Sequence, residues 1–220
     1  MLFRSKIILD LCGGTGAWSE SYRKAGYDVR NIILPKYNIL ATKITEDEII
    51  FRKDHNDNYR WRTLKKDIYG ILAAPPCTMF SVARTVGKKP RDLREGMELV
   101  IACLKIIWEC QYKVENTNQR KSSLKFWALE NPKSLLEWFL GKPSFQFQPY
   151  EFGDNYSKKT CLWGNFNEPK RLILINPPPK GKTMKHLVEP MTFKRDFKKM
   201  AEIRSITPKG FAEAFFDSNR

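Results

Sequence analysis

Cys77 follows Pro75 and Pro76 at the end of a short apolar run, Ile71 to Ala74. Two consecutive prolines cannot continue a sheet ladder, and they fix the direction of the backbone. The run therefore reads as a buried strand whose tip presents a thiol on a stiff turn. An open α/β sheet places its chemistry at such strand ends. The thiol has two readings, a nucleophilic thiolate or a small buried hydrophobe. A second apolar run, Phe126 to Leu129, ends in Glu130-Asn131-Pro132. A thiol and a carboxyl on neighbouring strand ends can act on opposite sides of a planar ring. Addition of the thiolate makes a ring carbon nucleophilic, and the carboxylic acid assists by holding or protonating a ring nitrogen. Glu130 also has a plainer reading, as a carboxylate capping the helix that follows Asn131.

A third strand end carries Asp10-Leu11-Cys12-Gly13-Gly14-Thr15-Gly16, after Ile7-Ile8-Leu9 and before a helix predicted over Ala17 to Ala25, closed by Gly26. Strand, Gly-rich turn and helix make the opening of a nucleotide-binding α/β unit. The spacing is not the Gly-x-Gly-x-x-Gly of dinucleotide sites, and no Gly-Lys-Ser/Thr follows to make a P-loop.

These three ends need a sheet to hold them. Tyr27 to Leu34 reads as a second strand stopped by Pro35, and Asn38 to Ala41 as a brief third. Residues 42–67 read as an inserted, exposed, basic hairpin with strands near Glu48–Phe51 and Tyr59–Leu64. Thr78 to Pro90 is a basic loop carrying Arg84, Lys88 and Lys89. Arg91 to Gln111 has an apolar stripe at Met97, Val100, Ile101, Leu104, Ile107 and Trp108 and is predicted helical, with Cys103 and Cys110 in the core. Glu115 to Ser123 reads as a polar linker. Ser134 to Leu140 reads as a short helix closed by Gly141. Phe145–Phe152 and Lys159–Trp163 read as antiparallel arms. A strand at Leu172–Ile175, a basic helix over 193–203, and a final helix with Thr207 as N-cap and Pro208 at its first turn complete the chain. The expected fold class is α/β, a mostly parallel sheet with helices on both faces, in one domain spanning 1–220.

The chain has 220 residues, 42% hydrophobic and 29% charged, enough for one sizeable core. Its formal net charge of +15 points to a polyanionic partner, most simply nucleic acid, or else to a generally basic surface. No apolar run is long enough to span a membrane, and no signal-peptide pattern opens the chain. Five cysteines without a CxxC pair, and two distant histidines, argue for no structural metal and a reducing, cytoplasmic compartment.

In motif order and spacing the chain resembles the cytosine-C5 DNA methyltransferases over most of their catalytic domain, in outline their short phage-type members. Asp10 to Gly16 is similar to their S-adenosylmethionine loop, and Ala74-Pro75-Pro76-Cys77 with Phe80-Ser81 to their Pro-Cys motif. Glu130-Asn131-Pro132 stands where they have Glu-Asn-Val. Lys158-Lys159-Thr160 resembles their basic Gln-x-Arg-x-Arg motif, and Arg204 to Phe216 the final motif that completes the cofactor pocket.

The resemblance implies a class I S-adenosylmethionine-dependent fold and DNA as partner, in the cytoplasm of a bacterial or phage-infected cell. It implies Cys77 attacking C6 of cytosine and Glu130 holding N3, with Lys159 and Thr160 beside the base. It implies cofactor contacts from Asp10, Leu11, Cys12, Gly13, Gly14, Thr15, Gly16, Trp18, Leu34, Asn38, Ala74 and Pro75. Substrate contacts would come from Ser81, Arg84, Lys88, Lys89, Asn131 and Pro132. The chain departs from the family after the second strand, where Leu34 and Asn38 replace the usual acidic residues. Residues 165–203 leave room only for a reduced region where a target-recognition domain normally lies, so a partner subunit for recognition is one expectation. Alternatives are a silent nucleic-acid-binding module, or the same chemistry on RNA or a free cytosine nucleotide. Asn176-Pro177-Pro178-Pro179 resembles the Asn-Pro-Pro-aromatic motif of amino-methyltransferases, but its fourth residue is proline and it reads as a stiff turn.

Overall fold

A computed structural model describes residues 6–56, 60–82, 90–111, 124–172 and 202–220. The loop with Arg84, Lys88 and Lys89, the linker 115–123 and the Asn-Pro-Pro-Pro turn lie outside these residues. So do nearly all of the strand expected at 172–175 and the helix expected at 193–203.

The centre is a six-stranded sheet. In chain order its strands are β1 (Ile7–Leu11), β2 (Asp28–Ile32), β6 (Ile68–Ala73), β7 (Phe126–Pro132), β8 (Phe145–Phe147) and β9 (Thr160–Asn165). Their spatial order is β2-β1-β6-β7-β9-β8. The pairs β1/β2, β1/β6 and β6/β7 are parallel, whereas β9 runs antiparallel to both β7 and β8. The protein is thus an α/β protein with a mostly parallel sheet.

Strand alternation buries both faces. On one face Leu9, Leu11, Ile71 and Leu129 pack beneath α2 (Leu93–Gln111). On the other, Ile8, Leu72 and Ala128 meet α1 (Glu20–Lys24) and α4 (Lys209–Asn219). This second core is largely aromatic. Phe211 stacks on Phe147 at 3.9 Å and packs with Phe215 around Trp18.

Several expectations are corrected. The expected hairpin forms, with β4 (Glu48–Arg52) antiparallel to β5 (Arg60–Leu64), but it is not an exposed excursion: β3 (Asn38–Ile44) joins it in a three-stranded antiparallel sheet. Ile39, Ile49 and Phe51 are buried in the α2-side core. Arg30 ties this sheet to β2, donating to the Arg62 carbonyl at 3.0 Å and lying over the Trp61 ring. Helix α1 starts three residues later than expected because the Ser19 hydroxyl is drawn to Asp10 and does not cap the helix. The buried seam of α2 runs through Val100, Cys103, Ile107 and Cys110, and leaves Ile101 and Trp108 exposed. Strand β7 extends to Pro132 because β9 pairs with it throughout. Glu130 therefore lies within a strand, and the next helix, α3 (Glu137–Leu140), begins too far on for it to cap. Only Phe145–Phe147 of the first antiparallel arm is strand, and Pro149–Phe152 forms a 3-10 turn closed by a Gln148/Glu151 capping box. Pro208, not Thr207, occupies the N-cap position of α4.

Candidate active site

The three strand ends singled out by chemistry are neighbours. Strand β6 lies between β1 and β7 with all three parallel, so the Pro-Pro-Cys corner emerges between the Gly-rich turn and Glu130. Adjacent strands lie about 4.8 Å apart, which brings the three ends to one crevice.

At the β1 end, Asp10 is fully buried. Ser19 donates to its Oδ2, with the Gly16 carbonyl as a second acceptor at 3.2 Å. Its Oδ1 has no partner among the described residues. Burial pushes the carboxyl up to about 6, against the Ser19 hydrogen bond and the Arg23 charge. Gly13 lies so close that a Cβ there would drive into the carboxyl. The turn closes with Gly16 N–H donating to the Gly13 carbonyl at 2.9 Å, and Gly14 (φ 57°) and Gly16 (φ 77°) take left-handed backbone that side chains resist. Cys12 also adopts φ 58°, held by its N–H donating to Ile32 at 2.9 Å. Asn31, on β2, fastens the turn by donating to the Gly14 carbonyl at 3.1 Å.

At the β6 end, hydrogen bonds fix the corner on both sides. Ala74 N–H donates to Leu11 at 2.9 Å, and the Asn131 side chain donates to the Pro75 carbonyl at 3.0 Å. Phe80 and Ser81 N–H groups donate to the Cys77 carbonyl at 3.0 and 2.8 Å, so the thiol opens a tight turn. Cys77 is half-buried. Burial pushes its thiol up, as does the Glu130 carboxylate, while the charges of Lys158 and Arg204 pull it down.

At the β7 end, burial raises the Glu130 carboxyl, against the charge of Lys158. Lys158 Nζ stands 4.0 Å from Glu130 Oε1, with only 16% and 14% of the two side chains exposed. Thiol, carboxyl and ammonium thus form one electrostatic unit. A half-buried thiol beside a carboxyl of raised pKa can add to an electron-poor ring while the acid form of the carboxyl donates to that ring.

The expected site residues separate into three groups. Cys77, Glu130, the Asp10–Gly16 turn, Ala74 and Pro75 converge on the crevice. Asn131 is buried and works behind it, holding the Pro75 carbonyl and accepting from Ser134 at 3.4 Å. Pro132 is paired with Thr160 in the sheet. Thr160 is buried and donates to the Lys158 carbonyl at 2.8 Å, and Lys159 is exposed. Trp18 belongs to the aromatic core and is almost fully buried. Leu34 is 64% exposed beyond β2, and the Asn38 side chain accepts from Leu40 N–H at 3.0 Å. Ser81 is half-buried in the turn after Cys77.

Lys158, Ser19 and Asn31 do more than the sequence reading gave them. Lys158 was findable from parity. Leu162 lies opposite Glu130, and two-residue alternation then puts 158 and 160 on Glu130's face and 159 on the other.

For a nucleoside cofactor the turn offers close backbone approach, the orphaned Asp10 Oδ1 and the open side of Gly14. Ser205 Oγ is the nearest atom a Cβ on Gly14 would meet, at 3.9 Å. The end of β2 supplies Leu34 and no carboxylate for ribose hydroxyls. No cluster of His, Cys, Asp and Glu that could hold a metal occurs among the described residues. No helix among them is long and apolar enough to cross a membrane. No protein-family model matches the chain, and no curated protein matches it.

Proposed function

We propose that the protein is an S-adenosylmethionine-dependent methyltransferase acting on C5 of cytosine in DNA, with a class I methyltransferase fold. The observation that carries this reading is the pair Cys77 and Glu130 on adjacent parallel strands, with Lys158, just before the antiparallel β9, beside Glu130, one strand from the Gly-rich turn.

Asp10, the backbone of Gly13 to Gly16 and the exposed Leu34 would hold the cofactor, whose sulfonium supplies an electrophilic methyl group. Cys77 Sγ, as thiolate, bonds to C6 of the cytosine. Glu130, in its acid form, donates its proton to N3, which neutralises the electron density pushed onto that nitrogen, and takes the proton back as the product forms. Lys158 steadies both anions, since its charge favours the thiolate of Cys77 and the carboxylate of Glu130. C5 would then be the nucleophile that takes the methyl group, breaking the methyl–sulfur bond of the sulfonium and leaving a neutral thioether. Loss of the C5 proton to solvent water would re-form the ring double bond and expel Cys77, which leaves as thiolate. In duplex DNA the base must first leave the stack, at a cost of a few kcal/mol.

The test is an oligonucleotide containing 5-fluorocytosine, whose fluorine cannot leave as a proton does. With cofactor present, a covalent adduct at Cys77 is expected by mass spectrometry and is expected to vanish in Cys77→Ala. Failure to trap on DNA, RNA or the free nucleotide overturns the reading.

The absence of a carboxylate at the end of β2 favours one second reading, a catalytically silent nucleic-acid-binding module. Calorimetry separates the two, because the silent module binds no S-adenosylmethionine.

A further inference from the structure

Trp138 is 81% exposed, and its neighbour Phe139 is 47% exposed. Large aromatics so uncovered are uncommon on a protein surface and mark interaction sites when they cluster. Here the cluster is held rigidly from behind. Leu136 is fully buried. Glu137 accepts from the Gln146 side chain at 3.0 Å and from Cys161 at 3.4 Å, and the Gly141 carbonyl accepts from the Trp163 indole at 2.9 Å. Helix α3 is thus pinned to β8 and β9 by its inner side.

The cluster also adjoins the catalytic corner. The Phe139 ring packs on Phe80 at 6.2 Å, Leu135 N–H donates to the Phe80 carbonyl at 3.2 Å, and Phe80 N–H donates to Cys77.

The surrounding charge is positive. Lys133, Lys142 and Lys159 are exposed, and none has an ion pair among the described residues. Lys133 and Lys159 are joined by a backbone hydrogen bond at 2.8 Å. The carboxylate of the same helix, Glu137, is turned inward onto Gln146 and Cys161.

We infer that Trp138 and Phe139, flanked by Lys133, Lys142 and Lys159, form a platform on which an unpaired base of single-stranded nucleic acid stacks beside the Cys77 crevice. The inference rests on the reading of that crevice as facing a nucleic acid. Flat aromatic faces next to unneutralised cations fit a strand that offers bases and phosphates together. A duplex keeps its base faces covered, so the platform discriminates in favour of unpaired strands. It lets the protein engage the nucleotides around a target without a large recognition domain.

The experiment measures fluorescence anisotropy of three labelled ligands: oligo-dT, an abasic oligomer of equal length and a closed hairpin duplex. No cofactor is added, and the protein carries Cys77→Ala so that nothing is captured covalently. Trp138→Ala is expected to weaken oligo-dT binding about 5- to 150-fold. Trp138→Phe retains most of the affinity, and the abasic and duplex ligands change less than about twofold. Lys133→Gln and Lys142→Gln each lower the salt slope for oligo-dT by about 0.7. Unchanged oligo-dT affinity in Trp138→Ala overturns the platform. So does an equal loss on the abasic oligomer, or a change in oligomeric state without a change in oligo-dT binding. The methyltransferase reading fails separately, by absence of the 5-fluorocytosine adduct, whatever Trp138 does.

Discussion

Asp10 is a carboxyl sealed under the Gly13 turn, with one oxygen unpartnered among the described residues. Its native pKa, near 6 against 3.8 for the free side chain, sets the sign of its effect on stability. Below about pH 3.8 the group is protonated in both states and costs nothing. As pH rises towards 6 the unfolded chain ionises freely while the native carboxyl resists, so the fold loses stability through that window. The loss is roughly 3 kcal/mol and is complete above pH 6. Urea unfolding of Asp10→Asn and the parent at pH 4 and pH 7 is expected to show a small difference at the lower pH and the variant more stable at the higher. The Cys77 unit gives a second residue-scale outcome. The Glu130 carboxylate raises the thiol and Lys158 lowers it. Glu130→Gln should therefore shift the pH profile of Cys77 alkylation by iodoacetamide downwards, and Lys158→Met should shift it upwards, each followed by peptide mass spectrometry. Opposite or absent shifts would show that the three groups are not coupled.

Helix α4 is the element on which the aromatic core depends. Phe211 meets Trp18, Phe147, Phe152 and Phe215, and is fully buried. Phe211→Ala is expected to cost about 3–5 kcal/mol, read from denaturant midpoints. Arg220→Ala, at the exposed end of the same helix, should change stability by less than about 0.5 kcal/mol. Elements fixed by local chemistry were legible in the sequence. The Pro-Pro stop after β6 and the Gly-rich turn follow from backbone rules that need no tertiary context. Elements fixed by distant partners were not. The length of β7 depends on β9 pairing up to Pro132, and the start of α1 depends on Ser19 serving Asp10 on another strand. The inner face of β4 reads as exposed until Ile49 and Phe51 are known to share a core with α2.

At the scale of the whole molecule, the two cores divide the work. The α2 side is aliphatic and anchors the small sheet, and the α1/α4 side is aromatic and lies behind the Gly-rich turn. Site residues were legible to the extent that they sit at strand ends, because a parallel sheet turns scattered motifs into neighbours. Asn31 was not, since its role arises from contact across the sheet, and Lys158 becomes so only once the β7/β9 register fixes the parity of that segment. The aromatic core also joins remote parts of the chain. The Tyr22 hydroxyl donates to the Asn219 carbonyl, 197 residues further on. During synthesis at about 5–20 residues per second, the aromatic face around Trp18 waits about 10–40 s for its covering helix. For that interval the nascent protein presents an apolar face to the cell, a hazard set by the distance along the chain between Trp18 and its covering helix and not by the stability of the finished fold.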